Sequence, residues 1–302
     1  MDDGAQEDAP SGAPGGAPGG APSGAPSGAP ARLVLLGASN LARQLPTVVD
    51  TGRRLLQRRY PGRPVEVWGA LGRGRSYGSG SWFLGRALPG IRSCGLWSSL
   101  AQAPAAAVTH ALVTDVGNDL GYGRDAPAVA RWVGDCIDRL RDAGAAPERG
   151  EIVLTSMPIA SLSRYADWQL DVARRLLFPL STQTAAEVRR RSHDLDDRLR
   201  DLAADQGLTW VEQQAAWYGV DPVHLRPRMG KQIWHQILGS WAAEPSAVTN
   251  GQGQNGHSVA GLSWSNSWRL RRLRPENVQL FGREIGSPQP CGHLPDLTVW
   301  LF

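Results

Sequence analysis

With 302 residues, 41% of them hydrophobic, the chain is long enough to bury a substantial core in one large domain or two small ones. Its 32 basic and 28 acidic residues leave a formal charge of only +4, and Lys231 is the single lysine. That arginine-rich, Ala/Gly/Pro-rich bias reads as a coding background rather than a nucleic-acid footprint, and Cys94, Cys136 and Cys291 lie far apart with no C-x-x-C pair to suggest zinc or a redox dithiol.

The N-terminus carries Asp2, Asp3, Glu7 and Asp8 where a secretory signal would be basic, and no apolar stretch is long enough to span a bilayer, so a cytoplasmic protein is expected. Residues 1–30 read as a disordered leader, because Gly12 to Pro30 repeats Gly-Ala-Pro with Gly or Ser spacers and offers almost no side chain to bury. Order is expected from Arg32. Leu33 to Leu36 then form a short apolar run ended by Gly37, the pattern of a strand buried on both faces, and residues 40–59 follow with apolar side chains at helical spacing.

The strand and helix unit recurs along the chain. Val65 to Trp68 is a predicted strand, followed by a Gly- and Ser-rich connection with a helix near 91–101. Further strands are predicted at 111–116, 151–155 and 208–211, and helices at 126–142, 164–178, 184–205 and 228–241. Strands alternating with helices indicate a parallel sheet covered on both faces, with ligands beyond the carboxyl ends of the strands. Residues 31–242 are taken as this domain. Residues 243–302 read as a polar linker (249–257) and a C-terminal β-hairpin appendage built from Val278 to Ile285 and Leu297 to Phe302.

Four polar blocks fall just past predicted strands. Ser39, in Gly37-Ala38-Ser39-Asn40, sits on the turn between the first strand and its helix, where a nucleophile is exposed at the sheet edge and its N–H meets the positive end of the helix dipole; capping the helix is the plainer use of a serine there. Gly72-Arg73-Gly74 leaves a backbone N–H unhindered. Asn118, in Val116-Gly117-Asn118-Asp119, is placed to donate to an oxyanion, or to form an Asx turn. Asp221-Pro222-Val223-His224 supplies a base for a serine and an acceptor for that base's other ring nitrogen, or else a helix-capping aspartate beside an ordinary loop histidine.

In this order the blocks resemble those of the SGNH hydrolase superfamily, the GDSL-like lipases and esterases, over about residues 32–241. The resemblance implies a flavodoxin-like three-layer α/β/α fold and ester hydrolysis without metal or cofactor. The substrate would be a small-molecule, carbohydrate or lipid ester. It implies Ser39, Asp221 and His224 as the catalytic group, and an oxyanion hole formed by the Ser39 N–H, the Gly74 N–H (with Gly72 as second candidate) and the Asn118 amide. Two positions depart from the family pattern: Ala38 stands where Gly-Asp-Ser has its carboxylate, and Val116 where Gly-x-Asn-Asp has its glycine. Both would suit a non-catalytic binding domain that keeps the fold, and an acyltransferase would use the same residues as a hydrolase.

Other motifs lead elsewhere or nowhere. An α/β-hydrolase elbow needs Gly where Leu41 stands, and Gly72, Gly74 and Gly78 have the wrong spacing for a dinucleotide loop. His193, Asp194, Asp196 and Asp197 occupy successive helical positions and read as a solvated face rather than a metal site. Arg73 and Arg75 either face solvent or favour an anionic substrate, and Trp82 either packs ordinarily or lines an acyl or sugar pocket.

Overall fold

The computed structural model describes residues 28–83, 85–146, 150–178, 181–242 and 259–302. In chain order the elements are β1 (Ala31–Leu36), α1 (Ser39–Arg59), β2 (Val65–Ala70), β3 (Ser81–Phe83), β4 (Arg86–Leu88), α2 (Leu96–Gln102), β5 (Val108–Val113), α3 (Asn118–Gly121), α4 (Ala126–Asp142) and β6 (Ile152–Thr155). There follow α5 (Ile159–Leu162), α6 (Asp167–Leu177), α7 (Ala185–Asp205), β7 (Thr209–Val211), α8 (Gly230–Gly239), α9 (Trp264–Arg271), β8 (Gln279–Leu280), β9 (Arg283–Glu284), β10 (Gly292–Leu294) and β11 (Leu297–Leu301). Most of the expected leader and the whole polar segment 249–257 lie outside the described residues.

The central sheet runs β10-β11-β2-β1-β5-β6-β7, parallel throughout except for β10 at its edge. Every residue of β1 is buried, and its alternation sorts the molecule into layers. Leu33 and Leu35 point into a core shared with α1 and α8, through Val48, Val49, Ile233 and Ile237. Val34 and Leu36 point into the opposite core, against α2, α4 and α7, through Leu96, Val133 and Leu199. The result is a three-layer α/β/α fold whose five strands β2-β1-β5-β6-β7 have the 2-1-3-4-5 order of doubly wound sheets.

Sequence and structure differ in three informative places. The middle strand, expected at 111–116, occupies 108–113, so Thr114 to Gly117 have already left the sheet when they reach the site. The helix expected at 164–178 is α6, Asp167–Leu177, and a four-residue helix, α5, that the sequence does not announce stands before it. The C-terminal hairpins are present, but the two runs do not pair with each other. Leu297, Val299 and Leu301 alternate inward, so β11 is a strand of the central sheet parallel to β2. The 278–285 run instead joins β3 and β4 in a small antiparallel sheet, β3-β4-β8-β9. Neither β3–β4 nor α9 is anticipated by the sequence reading.

No helix among the described residues is long and apolar enough to cross a membrane. On α7, Asp196 is turned inward, where its carboxylate accepts the Met157 N–H at 2.7 Å. It therefore belongs to the core rather than to a solvated face.

Candidate active site

Ser39 is the first residue of α1, and Gly37 before it lets the chain pass the neighbouring strand: a Cβ there would lie 3.0 Å from the Thr114 carbonyl oxygen and 2.8 Å from Leu41 Cδ1. The first turn of any helix leaves N–H groups without intrahelical acceptors. Here Asp115, just past β5, supplies the acceptor. Its Oδ2 takes the N–H of Asn40 at 2.8 Å, of Ala38 at 3.2 Å and of Leu41 at 3.4 Å. The N–H of Ser39 itself, between them, makes no hydrogen bond among the described residues. Asp115 reaches this position with φ of 56°, a left-handed conformation that Asp tolerates better than most residues. Burial raises its carboxyl pKa, and the Asn40, Ala38 and Leu41 hydrogen bonds only partly oppose that rise.

Asn40 links this turn to the distant loop carrying His224. Its Nδ2 donates to Asp115 Oδ1 at 2.7 Å and to the Val223 carbonyl at 3.1 Å, and its Oδ1 accepts the Leu225 N–H at 2.9 Å. His224 is thus bracketed by two hydrogen bonds from the residue next to Ser39. Its Nδ1 lies 2.5 Å from Asp221 Oδ2, while Asp221 Oδ1 accepts the N–H groups of Val223 at 3.0 Å and His224 at 3.2 Å. Burial works against the Asp221 charge, but the hydrogen bond from the His224 ring, the backbone N–H groups and the His224 charge outweigh it, and the carboxyl sits below its ordinary pKa.

The glycine block and the Asn118 block are tied together in the same manner. Asn118 Nδ2 donates to the Arg75 carbonyl at 3.0 Å, and Tyr122 Oη donates to the Gly74 carbonyl at 2.7 Å. The buried Asp119 accepts the Tyr77 N–H at 2.8 Å and the Gly78 N–H at 3.3 Å, together with the Ser76 hydroxyl. Gly74 has φ of 69°, and a Cβ there would lie 2.6 Å from Phe83 Cβ, so both backbone freedom and close approach require glycine. Its N–H makes no hydrogen bond among the described residues. Gly72 faces Leu88 instead. Val116, where the motif departs from glycine, is buried in the core and also lines the cavity of the site.

Ser39, Gly74, Asn118, Asp221 and His224, contributed by four separate segments, all line one cavity of about 400 Å³. Gly72 does not line it. The remaining wall is largely apolar, with Leu120, Met157, Leu162, Leu170 and Phe178. Arg73 lines the cavity and is exposed, whereas Arg75 neither faces solvent nor reaches a ligand: it is fully buried, its guanidinium donating to the Pro89, Leu71 and Phe302 carbonyls. Trp82 neither packs inside nor lines the cavity; it is 63% exposed on the small sheet. Asp115 and Asn40 also line the cavity and were missed from sequence. The available signal is an Asp three positions before Asn118, two residues past the end of β5.

No protein-family model and no curated protein matches this chain. Among solved structures it is similar to a carbohydrate acetylesterase family member from Sinorhizobium meliloti, at 15% identity over 69% of this chain and 99% of that one, with TM-score 0.45. It is also similar to the psychrotrophic esterase EstA from Pseudoalteromonas sp. (13% identity, 70% and 99%, TM-score 0.42). A member of the lipolytic G-D-S-L family from Veillonella parvula matches at 11% identity over 71% of this chain and 100% of that one, with TM-score 0.44.

Proposed function

We propose that this protein is a serine esterase of the SGNH type, cleaving carboxylic esters through an acyl-enzyme at Ser39. The observation that carries the reading is the convergence in one cavity of a serine, a histidine paired with a carboxylate, and two backbone N–H groups left without partners beside an Asn amide. A helix cap or an Asx turn needs none of the others.

In the proposed reaction the His224 Nδ1–H donates to Asp221, which leaves Nε2 unprotonated to take the Ser39 hydroxyl proton. As that proton leaves, Ser39 Oγ bonds to the carbonyl carbon, and negative charge collects on the carbonyl oxygen. The Ser39 N–H, the Gly74 N–H and the Asn118 amide are the donors available to that oxygen, one such donor being worth about 3 to 4 kcal/mol of transition-state stabilisation. His224 next gives its proton to the departing alcohol oxygen as the C–O bond breaks. Water then attacks the acyl carbon, its proton passing to His224 and on to Ser39 Oγ as the acid leaves.

Asp115 bears on the departure at position 38. The family's carboxylate beside the nucleophile is absent there, and Asp115 brings a carboxylate to the same turn from the segment just past β5, bonded to the N–H groups on both sides of Ser39. The test is labelling with a fluorophosphonate probe, mapped by peptide mass spectrometry, alongside hydrolysis of short aryl esters. Modification at Ser39 that disappears in Ser39→Ala and His224→Ala is expected. A folded protein that neither labels nor turns over esters would make the cavity a binding site without catalysis.

A further inference from the structure

The small sheet β3-β4-β8-β9 carries charge in an uneven way. Phe83 is paired with Arg86, Arg86 with Leu280, and Leu280 with Arg283. Directly paired residues project from the same face of a sheet, so these four form one row; Trp82, Ala87, Gln279 and Glu284, paired likewise, lie on the other face. Phe83 lines the catalytic cavity and packs against Gly74. The row therefore starts at the cavity wall and leads outward. Arg73 lines the same wall.

Among the described residues, Arg73, Arg86, Arg274 and Arg283 have no carboxylate within 4.0 Å. Burial, and then the charges of Arg73 and Arg274, hold the Arg86 guanidinium below its ordinary pKa. A single exposed arginine is unremarkable. Several gathered beside a cavity, with one half-buried and the sheet's Glu284 on the far face, repel one another and raise the local concentration of anions. Guanidinium groups suit oxyanions because their donors match carboxylate and phosphate geometry.

We propose that this arginine face is the binding site for an anionic group, a carboxylate or a phosphate, on the ester substrate, which makes the protein selective for anionic over neutral esters. The proposal rests on the esterase reading. The discriminating probes are acetyl esters of 4-hydroxybenzoate and 4-hydroxybenzamide, which differ in charge and little in size. At low salt the benzoate ester should exceed the benzamide ester in kcat/KM by about tenfold, a ratio that falls toward one in about 0.5 M NaCl. Arg86→Gln and Arg274→Gln should each reduce the ratio about threefold or more, while Arg175→Gln on α6 should leave it unchanged. Benzamide-ester turnover in each variant reports that it is folded.

Direct calorimetric titration of 4-hydroxybenzoate, and of inorganic phosphate, into the intact protein separates the two readings. Ester turnover with a ratio indifferent to salt and to both substitutions overturns the anion site and leaves the esterase. Anion binding that is weakened in Arg86→Gln, without turnover of either ester, overturns the esterase and leaves the anion site. Stronger binding of phosphate than of benzoate would identify a phosphate-bearing substrate, and the reverse a carboxylate.

Discussion

The turn that carries Ser39 and the loop that carries His224 reach the same cavity with different kinds of support. The serine turn is fixed from behind by Asp115, two residues past the end of β5, and it joins a buried strand to a 21-residue helix. The histidine loop is held by its own Asp221, by Asn40 and by a bridge between Tyr218 and Leu225 at its base, and its residue Val220 is 96% exposed. The proposed nucleophile and oxyanion donors thus belong to the core, whereas the proposed base belongs to a local motif docked on it. The division predicts how each half fails.

The largest effect should come from the reacting groups themselves. Ser39→Ala and His224→Ala should each lower kcat/KM for an aryl ester by about 10⁴-fold or more, with the double variant little worse than either, because the two act as one unit. Steady-state kinetics on all three proteins checks this, and additive losses would show that the pair does not share a step. Asn118→Ala should cost about 10² to 10³, mostly in kcat, if its amide serves the oxyanion rather than only the Arg75 carbonyl.

The same division explains what could be read from the sequence. The central strands and α4 were legible because a fully buried apolar run and a capped amphipathic helix are local patterns; the 126–142 helix coincides with its prediction, capped by Asp125. Gly74, Asn118, Asp221 and His224 were legible because each follows a strand within a short motif. Asp115 and Asn40 were not, since their meaning lies in hydrogen bonds across 75 and more residues of chain. β3 and β4 escaped because three-residue strands have no measurable periodicity, whereas the 278–285 run that holds β8 and β9 was legible. β11 was seen as a strand but not as part of the central sheet, because pairing with β2 joins residues more than 230 apart, Val65 and Leu297 among them.

Asn40→Ala tests the join between the halves. It removes the acceptor for Leu225 and the donor for Val223, so the histidine loop loses its tether while the Asp115 bonds to Ala38 and Leu41 persist. The expectation is a fall in kcat of about tenfold to a hundredfold with fluorophosphonate labelling slowed in proportion, and a stability loss of about 1 to 3 kcal/mol for the unsatisfied groups. A loss of stability with unchanged kcat would mean that the loop keeps its place without Asn40.

The smallest effect is the most specific, because the two halves contain carboxylates that titrate in opposite directions. The Asp221 pKa lies below its ordinary 3.8, so in the folded protein it stays ionised to lower pH than in the unfolded chain. Its contribution to stability is present above 3.8 and is lost as pH falls through the lowered folded value. The Asp115 pKa is raised above 3.8, and the sign reverses: the folded protein holds that proton more tightly than the unfolded chain does. Asp115 therefore costs stability once ionised, and the cost is relieved as pH falls through its raised value. Thermal melts of Asp221→Asn and Asp115→Asn against the parent from about pH 3 to 7 should show this as two opposite trends. As pH rises, the parent should gain on Asp221→Asn below 3.8 and lose ground relative to Asp115→Asn above it. Melting curves for the two variants that shift in parallel with pH would mean that the serine turn and the histidine loop are not electrostatically distinct, and the contrast between a core-built nucleophile and a docked base would lose its physical basis.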